Sequence, residues 1–406
     1  GSISIKAISS SGSSRIDEVI RLVESSQSEK AKIERTVDKI AKVFVPIVII
    51  LSTATFILWQ PSLGTKSSLS MAITVMIIAC PCAMGLATPI ALFVGTSVGA
   101  KNGILLKGHR ALEAASGIDV IVFDKTGTLT TGDFDVTADN EECLKIAASL
   151  EIHTSHPIAS AIVKSCSDFY EANDVTTIPG WGVKGYIDGE AYSVGKGEEN
   201  IEVRRGENLV GLIFLKDSIR SDALSAINHL GKVILSSGDN ENEVKRVASQ
   251  LGISDARSNQ SPEDKLKLVE SLSNVAMVGD GINDSAALAA ADLGIAVSSA
   301  SGIADLSSDI VLTKEGLMGT VDALDLANRT RMSIRQNLLW AFLYNIIAIP
   351  VAMGALYNSH DIVLPPWFAA AAMALSSICV ILNSIRLRWS FERGLVRRRH
   401  GRPVTP

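Results

Sequence analysis

Residues Asp124–Thr130 read Asp-Lys-Thr-Gly-Thr-Leu-Thr, and they directly follow the apolar run Val120–Phe123. Four consecutive apolar residues before a turn are typical of a strand that is buried on both faces of a parallel sheet. In open α/β sheets, ligands bind in the crevice at the carboxyl ends of such strands. The stretch therefore predicts an α/β domain with Asp124 at the mouth of a ligand site.

Asp124 carries a carboxylate, which can attack phosphorus and form an acyl phosphate. Lys125 offsets negative charge, and Gly127 lets the backbone approach a phosphate closely. The hydroxyls of Thr126 and Thr128 can hydrogen-bond to phosphate oxygens. The alternative is an ordinary turn aspartate without chemistry, which two further acidic turns later in the chain disfavour.

A second acidic turn, Gly279–Asp284, follows the apolar pair Met277–Val278. Attack by a carboxylate on an anionic phosphate needs a divalent cation that reduces the repulsion between them. The turns offer only hard oxygen ligands, which suit Mg²⁺. The predicted Mg²⁺ ligands are Asp124, Thr126 and Asp280, oriented by Asn283 and Asp284.

A third turn of this kind, Ser236–Asp239, follows the apolar residues Val233–Leu235. Ser237 can hold a phosphate oxygen there. Further along, Pro262–Lys265 supplies a lysine that can neutralise the charge developing on a transferred phosphoryl group. The candidate catalytic residues are therefore Asp124, Lys125, Thr126, Thr128, Ser237, Gly238, Asp239, Lys265, Asn283 and Asp284.

The composition excludes several classes of protein. A net charge of −5 and a pI near 5.8 argue against a nucleic-acid partner. Five cysteines in 406 residues, unevenly spaced, argue against a disulfide scaffold. Hydrophobic residues make up 47% of the chain, and their longest runs lie near its two ends, around a long polar block. This distribution indicates membrane segments that flank one large loop.

Four stretches approach or exceed the roughly 20 apolar residues that a helix needs to cross a bilayer. Their apolar centres contain no Asp, Glu, Lys or Arg, whereas a buried helix of a soluble protein would rarely stay uncharged for so long. The predicted spans are residues 43–60, 69–98, 336–357 and 366–386.

Basic residues lie on one side of these spans. They precede the first and third spans and follow the second and fourth, whereas the short loops Gln60–Ser68 and Asn358–Pro366 hold one Lys and no Arg. Loops rich in Lys and Arg stay in the cytoplasm. We therefore expect an integral protein of the cell membrane, with both termini and the large loop in the cytoplasm.

The second span contains Cys80-Pro81-Cys82. On a regular helix, residues two apart point about 200° away from each other, so both thiols could not face one ion. Pro81 lacks an N–H and clashes with the carbonyl of Ile77, which opens the helix and can turn both sulfurs inward. Thiolates select soft metals such as Cu(I), and polar groups are costly at this depth. The alternative is a proline kink between two inert buried cysteines.

The third and fourth spans carry further polar or sulfur-bearing side chains, Tyr344 and Asn345 in the third, Met373 and Ser377 in the fourth. Met373 and Ser377 are four residues apart and share one face of a helix. A thioether is a soft, neutral ligand, and neither span offers a carboxylate for a divalent ion. Taken singly, Met373 could equally be packing and Tyr344 an interfacial aromatic residue.

The sequences Asp124–Thr130 and Gly279–Leu288 together resemble the signature motifs of the P-type ion-transporting ATPases, within the haloacid-dehalogenase-like superfamily. The resemblance implies an α/β, Rossmann-like phosphorylation domain and an inserted α+β nucleotide-binding domain, beside a bundle of four transmembrane helices. The implied phosphorylation domain, with its stalk, is residues 99–131 and 212–330, and the implied insert is residues 132–211.

One residue separates a pump from a phosphatase in this superfamily. Phosphatases usually carry an acid two positions after the nucleophile, where it activates water against the phosphoenzyme. This chain has Thr126 at that position. The resemblance therefore implies an aspartyl phosphate on Asp124 that persists long enough to be coupled to movement.

The insert resembles that of the metal-transporting subgroup, which binds ATP through a Glu, a His-Pro pair and several glycines. We expect the Glu and the His on one helix, Glu151–Lys164, and the glycines in strand-like turns. By itself a His is more often structural, and a lone Gly-x-Gly is a weak signal. The implied ATP-binding residues are Glu151, His156, Gly180, Gly182 and Gly195.

Cys-Pro-Cys, with Tyr-Asn and Met-x-x-Ser-Ser, resembles the copper(I)-exporting branch of these ATPases. The resemblance implies ATP-driven export of Cu(I) and also of Ag(I), with copper delivered by a copper chaperone or a small thiol. Two alternatives stay open: a Zn²⁺- or Cd²⁺-transporting P-type ATPase, and a membrane metal-binding fragment that does not pump. The implied Cu(I) ligands are Cys80, Cys82, Tyr344, Asn345, Met373 and Ser377.

Pumps of this family also contain an actuator domain with a Thr-Gly-Glu loop, whose Glu positions water to hydrolyse the phosphoenzyme. No Thr-Gly-Glu occurs in this chain. We therefore expect a carboxyl-terminal portion of a pump, which accepts phosphate on Asp124 but turns over poorly. In this interpretation residues 1–14 are a remnant of the actuator, 15–42 a cytoplasmic stalk helix and 387–406 a basic cytoplasmic tail.

Overall fold

The computed structural model describes most of the chain between Lys32 and Arg399. The predicted actuator remnant, the first part of the predicted stalk helix and the last residues of the predicted tail lie outside the described residues. Those described are 32–80, 82–154, 157–178, 181–197, 200–281, 284–297, 308–314, 316–360 and 362–399.

The chain divides into two compact units. The first contains the residues up to Ile121, His229–Lys232, and all residues from Lys265 onward. The second contains Val122–Asn228 and Val233–Asp264. Each unit is described by itself below.

The helices and strands alternate in the middle of the chain, and long helices lie at its two ends. In chain order the elements are α1 (Lys32–Ile78), α2 (Cys82–Lys101), β1 (Ile104–Leu106), α3 (His109–Ala115), β2 (Val120–Asp124), β3 (Thr130–Ala138), α4 (Glu141–Glu151), α5 (Pro157–Lys164), β4 (Ala172–Ile178), β5 (Gly182–Ile187), β6 (Glu190–Lys196), β7 (Ile201–Arg205), β8 (Asn208–Ile219), α6 (Ala223–His229), β9 (Lys232–Ser236), α7 (Glu241–Leu251), β10 (Asp255–Arg257), α8 (Pro262–Glu270), β11 (Val275–Gly279), α9 (Ser285–Ala290), β12 (Leu293–Val297), β13 (Ile310–Leu312), α10 (Met318–Ala352), α11 (Tyr357–His360) and α12 (Pro366–Arg399).

Two breaks divide the long apolar helix at the start of the first unit. Gly64 has φ 74° and ψ 168°, a conformation that glycine adopts easily, and it interrupts α1 within the predicted outer loop. The second break is at Cys-Pro-Cys, between the end of α1 at Ile78 and the start of α2 at Cys82. There the amide of Cys80 donates to the carbonyl of Ile77 at 3.2 Å, in place of the N–H that proline lacks. The predicted opening of the helix is therefore present.

Two helical stretches are long and apolar enough to cross a membrane, Lys42–Lys101 and Pro366–Arg398. The first has 60 residues, enough for two crossings at about 20 residues each. The predicted third span corresponds to the later part of α10, which ends at Ala352. Gly354 follows it with φ 95°, in a turn that precedes α11. The four separate spans stay a prediction.

The first residues of the predicted basic tail are helical, because α12 continues as far as Arg399. The cause is an ion-pair cluster with α10. The side chain of Arg398 is 4% exposed, and its guanidinium lies 2.9 Å from both Asp322 and Asp325. Asp325 also pairs with Arg329 at 2.9 Å. Paired charges of this kind hold the end of α12 against α10.

A buried carboxamide joins three helices of the first unit. The side-chain nitrogen of Asn337, on α10, donates to the carbonyl of Ala87 at 3.1 Å and to the hydroxyl of Ser384 at 2.9 Å. Its oxygen accepts from the side chain of Asn383 at 2.8 Å. Asn337 is fully buried, so these bonds replace all contact with water. They fix α10 relative to α2 and α12.

The strands of the α/β part pair mostly in parallel, and one pair is antiparallel. In the first unit β12 is parallel to both β11 and β13, and β1 is antiparallel to β13. In the second unit β9 and β10 are parallel. The three predicted strands that end in acidic turns are confirmed as β2, β9 and β11. Within the first unit, the amides of Asp119 and Val120 donate to the carbonyl of Asn274, which lies just before β11.

The insert, which lies in the second unit, is an antiparallel sheet with helices on one side. Its strand order is β3-β8-β7-β6-β5-β4. Apolar residues of α4 and α5, such as Ile146, Leu150 and Ile162, pack with Val183 and Val194 of the sheet. This segregation of helices to one face is typical of an α+β domain.

The boundaries of the insert are wider than residues 132–211. Strand β8 is continuous for 12 residues, and its last residue, Ile219, pairs with Thr130 of β3. Because backbone pairing continues beyond the predicted boundary at both ends, the sheet begins at Thr130 and ends at Ile219.

The single helix expected at Glu151–Lys164 is wrong. Helix α4 ends at Glu151, and α5 begins at Pro157. Proline lacks an N–H and is favoured at the first position of a helix, where no donor is needed. The proline of the His-Pro pair therefore marks the start of a second helix.

We expect that Asn337→Ala destabilises the first unit by about 1 kcal/mol, because Ser384 and Asn383 then lose a buried hydrogen-bond partner. Thermal unfolding of the purified protein in detergent micelles measures the change. Leu339→Ala is the control, because Leu339 lies two residues further along α10 and is 63% exposed. Equal effects of the two substitutions would contradict a joining role for Asn337.

Candidate functional site

Asp124 is the last residue of β2 and is buried. The next five residues, Lys125–Leu129, form a tight turn, in which Thr126 has an extended conformation and Gly127 has φ 70°. A positive φ is available to glycine at little cost, so Gly127 lets the chain turn sharply behind Asp124. The hydroxyl of Thr128 is buried and has no hydrogen-bond partner among the described residues. This hydroxyl could therefore donate a hydrogen bond to a phosphate oxygen.

The ammonium group of Lys125 is buried and paired. It forms an ion pair with Asp239 and lies 3.8 Å from Glu243. The hydroxyl of Ser237 donates to the carboxylate of Asp239 at 3.2 Å, and the amide of Asp239 lies 3.2 Å from that hydroxyl. The turn after β9, which includes Gly238, therefore meets the turn after β2 through Lys125. The predicted catalytic residues Lys125, Ser237 and Asp239 thus lie together in the second unit.

Two residues that the sequence analysis did not select hold the turn in place. Arg220 donates from Nε to the carbonyl of Thr128 at 2.8 Å and from Nη2 to that of Gly127 at 3.1 Å. The amide of Gly132 donates to Asp217 at 3.2 Å. Burial raises the pKa of Asp217 above its usual range. Both residues belong to the sequence Asp-Ser-Ile-Arg, which leads out of the insert. Its position directly after the apolar residues of β8 could have indicated them.

In the first unit, a second buried ion pair lies beside the acidic turn after β11. Lys265 Nζ lies 2.7 Å from Asp284 Oδ1, and their side chains are 7% and 0% exposed. The other oxygen of Asp284 is buried without a hydrogen-bond partner among the described residues. Asp280 follows β11 directly, and Asn283 lies outside the described residues. Lys265 and Asp284 were both predicted, and the structure brings them together.

The insert contains a cavity of about 620 Å³. Three of its lining residues, Glu151, Gly182 and Gly195, were predicted to bind ATP, whereas His156 and Gly180 lie outside the described residues. Asp239, the partner of Lys125, also lines it. One cavity of the second unit therefore extends from the predicted nucleotide-binding residues to an ion pair of the phosphorylation turn.

The two described glycines have a structural reason of their own. Gly182 pairs with Gly195 across β5 and β6, and a Cβ at Gly182 would lie 2.0 Å from the carbonyl oxygen of Val194. A Cβ at Gly195 would lie 2.6 Å from the ring of Trp181. The indole therefore lies directly against Gly195. The backbone of Val194 and the indole of Trp181 leave no room for a side chain at either glycine, whether or not a ligand is bound.

The carboxyl group of Glu151 is buried at the end of α4. Burial raises its pKa above the usual range, because the charged form loses hydration. The group is therefore held more readily in its neutral form than an exposed glutamate. A donor from a bound ligand, such as an exocyclic amine, would stabilise the carboxylate.

A small cavity of about 10 Å³ lies among the helices of the first unit. That volume is about one water-sized sphere, enough for a single small ion or water molecule. Four of the six predicted Cu(I) ligands line it: Cys80, Tyr344, Asn345 and Met373. The hydroxyl of Tyr344 is buried without a hydrogen-bond partner among the described residues.

The serine of this cavity is Ser376 rather than Ser377. The hydroxyl of Ser377 donates to the carbonyl of Met373 at 3.4 Å, one helical turn earlier; its oxygen lone pairs are not used by this bond, so Ser377 stays a predicted ligand. The side chain of Cys82 lies outside the described residues.

Comparisons with known proteins match this architecture. The family model of haloacid dehalogenase-like hydrolases matches residues 118–292. The chain is 30% identical to a zinc-transporting PIB-type ATPase whose crystal structure is in the E2.Pi state, covering 94% of this chain and 69% of that one with a TM-score of 0.73. It is 36% identical to the catalytic domain of the CPx-ATPase CopB-B, covering 57% of this chain and 98% of that domain, with a TM-score of 0.53.

Curated relatives match over nearly the whole chain. The copper-transporting ATPase HMA5 of Oryza sativa subsp. japonica is 38% identical, and the copper-exporting P-type ATPase of Mycobacterium leprae is 39% identical. Each alignment covers 96% of this chain but only 45% and 54% of the relative. The chain thus spans about half the length of these relatives. Fold and identity together define a P-type ATPase with a haloacid-dehalogenase-like domain. Specifically, the chain belongs to the PIB-type, metal-transporting ATPases.

We expect that Lys265→Met destabilises the first unit by about 3 to 5 kcal/mol, because the buried Asp284 then loses its counter-charge. Denaturant unfolding monitored by fluorescence measures the change. Lys267→Met is the control, because Lys267 lies two residues away on α8 and is exposed. A loss below 1 kcal/mol would contradict the pairing.

We expect that Glu151→Gln stabilises the insert at pH 8 and has little effect on its stability at pH 4. The pKa of Glu151 is raised in the folded state, so this carboxyl group costs no stability below the ordinary glutamate pKa of about 4.3. As pH rises through the raised value, the buried group becomes charged and the insert loses stability. Thermal unfolding at both pH values checks this expectation. Glu142→Gln, at an exposed glutamate of the same helix, is the control, and a gain at pH 4 equal to that at pH 8 would refute the assignment.

Proposed function

We propose that this chain supplies the catalytic and membrane parts of an ATPase that exports Cu(I), and also Ag(I), through an aspartyl-phosphate intermediate. The observation that carries this proposal is the small cavity lined by Cys80, Tyr344, Asn345 and Met373. None of the described residues that line it is acidic. Sulfur and neutral polar groups suit a soft monovalent ion better than a hard or divalent one. The curated relatives named for copper support the same substrate.

In the proposed reaction, ATP binds in the insert cavity beside Glu151, Gly182 and Gly195, with His156 and Gly180 as further proposed contacts. Asp239, at the other end of the lining, marks the side toward the phosphorylation turn. A carboxylate oxygen of Asp124 attacks the γ-phosphorus. The new O–P bond forms as the bond from the γ-phosphorus to the bridging oxygen breaks, and ADP leaves.

The side chains around Asp124 are suited to stabilise that transfer. Lys125 supplies positive charge beside the turn, and Thr128 and Ser237 supply hydroxyl groups for the phosphoryl oxygens. Arg220 positions the turn through two carbonyl groups and so acts on the reaction indirectly. Thr126 stands where a phosphatase of this superfamily has its acid, which supports a persistent phosphoenzyme.

Mg²⁺ is the cofactor that fits the acidic turns. Their donors are hard oxygens, and one oxygen of Asp284 is buried without a hydrogen-bond partner among the described residues. Asp124, Thr126 and Asp280 stay the proposed ligands, with Asn283 and Asp284 orienting them. When bound, Mg²⁺ would reduce the repulsion between carboxylate and phosphate.

The proposed location is the cell membrane, with the large loop and both termini in the cytoplasm. Basic residues on one side of the predicted spans support this orientation. Lipid surrounds the exposed apolar side chains of the long helices, such as Ile50, Leu58 and Ile346. A copper chaperone or a small thiol is the proposed donor of Cu(I), because free thiols compete effectively for this ion.

One alternative substrate has an observation in its favour. The solved structure with a TM-score of 0.73 belongs to a zinc-transporting ATPase, which keeps Zn²⁺ and Cd²⁺ transport as the second candidate. The absence of an acidic residue from the described cavity lining weighs against a divalent ion. A membrane metal-binding fragment without pumping is the third candidate.

We expect γ-labelled ATP with Mg²⁺ to label Asp124 covalently, with Cu(I) raising the labelling and Asp124→Asn abolishing it. The reason is that an amide cannot act as the attacking carboxylate. Acid-stable labelling on gels and release by hydroxylamine measure the acyl phosphate. Asp135→Asn is the control, since Asp135 is an exposed aspartate on β3.

The same assay separates the three candidates. Stronger stimulation by Zn²⁺ than by Cu(I) would overturn the copper assignment and favour the second candidate. No labelling under any metal, in protein that still binds Cu(I), would favour a metal-binding fragment.

A further inference from the structure

The cavity among the membrane helices is lined by two methionines, and one of them, Met84, belongs to none of the sequences from which the metal site was predicted. We propose that the Met84 thioether is a further ligand of the transported soft metal ion, together with Cys80 and Met373. This inference rests on the proposed function, since it assumes that the cavity holds the transported ion.

Met84 lies where the break in the helix brings it close to Cys80. Helix α1 ends at Ile78, α2 begins at Cys82, and Cys80 lies between them outside regular helix. Met84 is thus in the first turn of α2, and it is 5% exposed. Its side chain packs in one cluster with Ala341 of α10 and Val380 of α12.

Helix packing is the simplest competing explanation for Met84. Its side chain belongs to an apolar cluster with Ala83, Ala87, Ala341 and Val380. Most of these neighbours are alanines, however, and Ala83 and Ala341 line the same cavity. Small side chains leave a space of about one water-sized sphere there instead of closing it. The thioether therefore lines a space that is sized for a single ion.

The donors that line this cavity match the softness of Cu(I) or Ag(I). Two thioethers are neutral and soft, and the thiolates of the Cys-Pro-Cys sequence supply the negative charge. The Met84 thioether therefore adds a soft donor without adding charge inside the membrane, where unbalanced charge is costly. It is expected to add affinity for a soft ion.

The test replaces the sulfur and keeps the volume. Met84→Leu is nearly isosteric, so packing in the alanine cluster is retained. We expect the reduced protein in detergent to lose about tenfold or more of its Cu(I) affinity, measured by competition with a chromophoric chelator, since even outer-shell partners of a metal site contribute about 10- to 100-fold. X-ray absorption of the bound copper should show one sulfur neighbour fewer than in the unsubstituted protein.

Two further variants distinguish the loss of a sulfur donor from misfolding of the protein. Met84→Cys restores a sulfur donor at the same position and is expected to recover most of the affinity and the lost sulfur neighbour. Met76→Leu is the matched control, because Met76 is on the helix before Cys80 and is 54% exposed. It should change neither measurement.

The outcomes separate this inference from the proposed function. If Met373→Leu weakens Cu(I) binding and Met84→Leu does not, the proposed function stands and the role of Met84 is refuted. If the reduced, unsubstituted protein binds no Cu(I), the copper site itself is refuted. If Met84→Leu weakens binding but Met84→Cys restores neither affinity nor the sulfur neighbour, Met84 acts through packing and the inference is overturned.

Discussion

The phosphorylation turn depends on a side chain that lies 92 residues further along the chain. Arg220 donates to the carbonyls of Thr128 and Gly127, so the turn behind Asp124 is closed by a residue on the far side of the insert. Backbone carbonyls that are buried need partners, and this turn obtains them from a guanidinium instead of from regular structure. The turn therefore depends on the last strand of the insert, β8, which returns the chain so that Arg220 lies beside it.

Each unit contains a buried lysine that is paired with an aspartate. Lys125 is paired with Asp239 in the second unit, and Lys265 with Asp284 in the first. A buried ammonium without a counter-ion would be strongly destabilising, so these lysines are held in fixed positions before any ligand binds. Preorganised cations of this kind stabilise a transferred phosphoryl group without having to reorganise during the reaction.

Away from the ion-pair cluster at the end of α12, the polar groups that join α2, α10 and α12 around Asn337 are neutral. The Asn337 carboxamide joins α2, α10 and α12 through three hydrogen bonds, and each bond has a partner on another helix. A neutral network holds helices together at a smaller desolvation cost than a buried ion pair. The cavity near Cys80 is likewise lined by sulfur, hydroxyl and amide groups.

The sequence alone determined the strands that lead into the turns with Asp124, Asp239 and Asp280, because apolar runs before acidic turns are a local pattern. The Cys-Pro-Cys break followed equally from the missing N–H of proline. Tertiary structure decided what local pattern could not. It placed Ser376 in the lining of the small cavity, and it divided the predicted helix after Glu151. It also brought Arg220 to the phosphorylation turn and Met84 to the cavity, since contacts between distant segments depend on how whole elements pack.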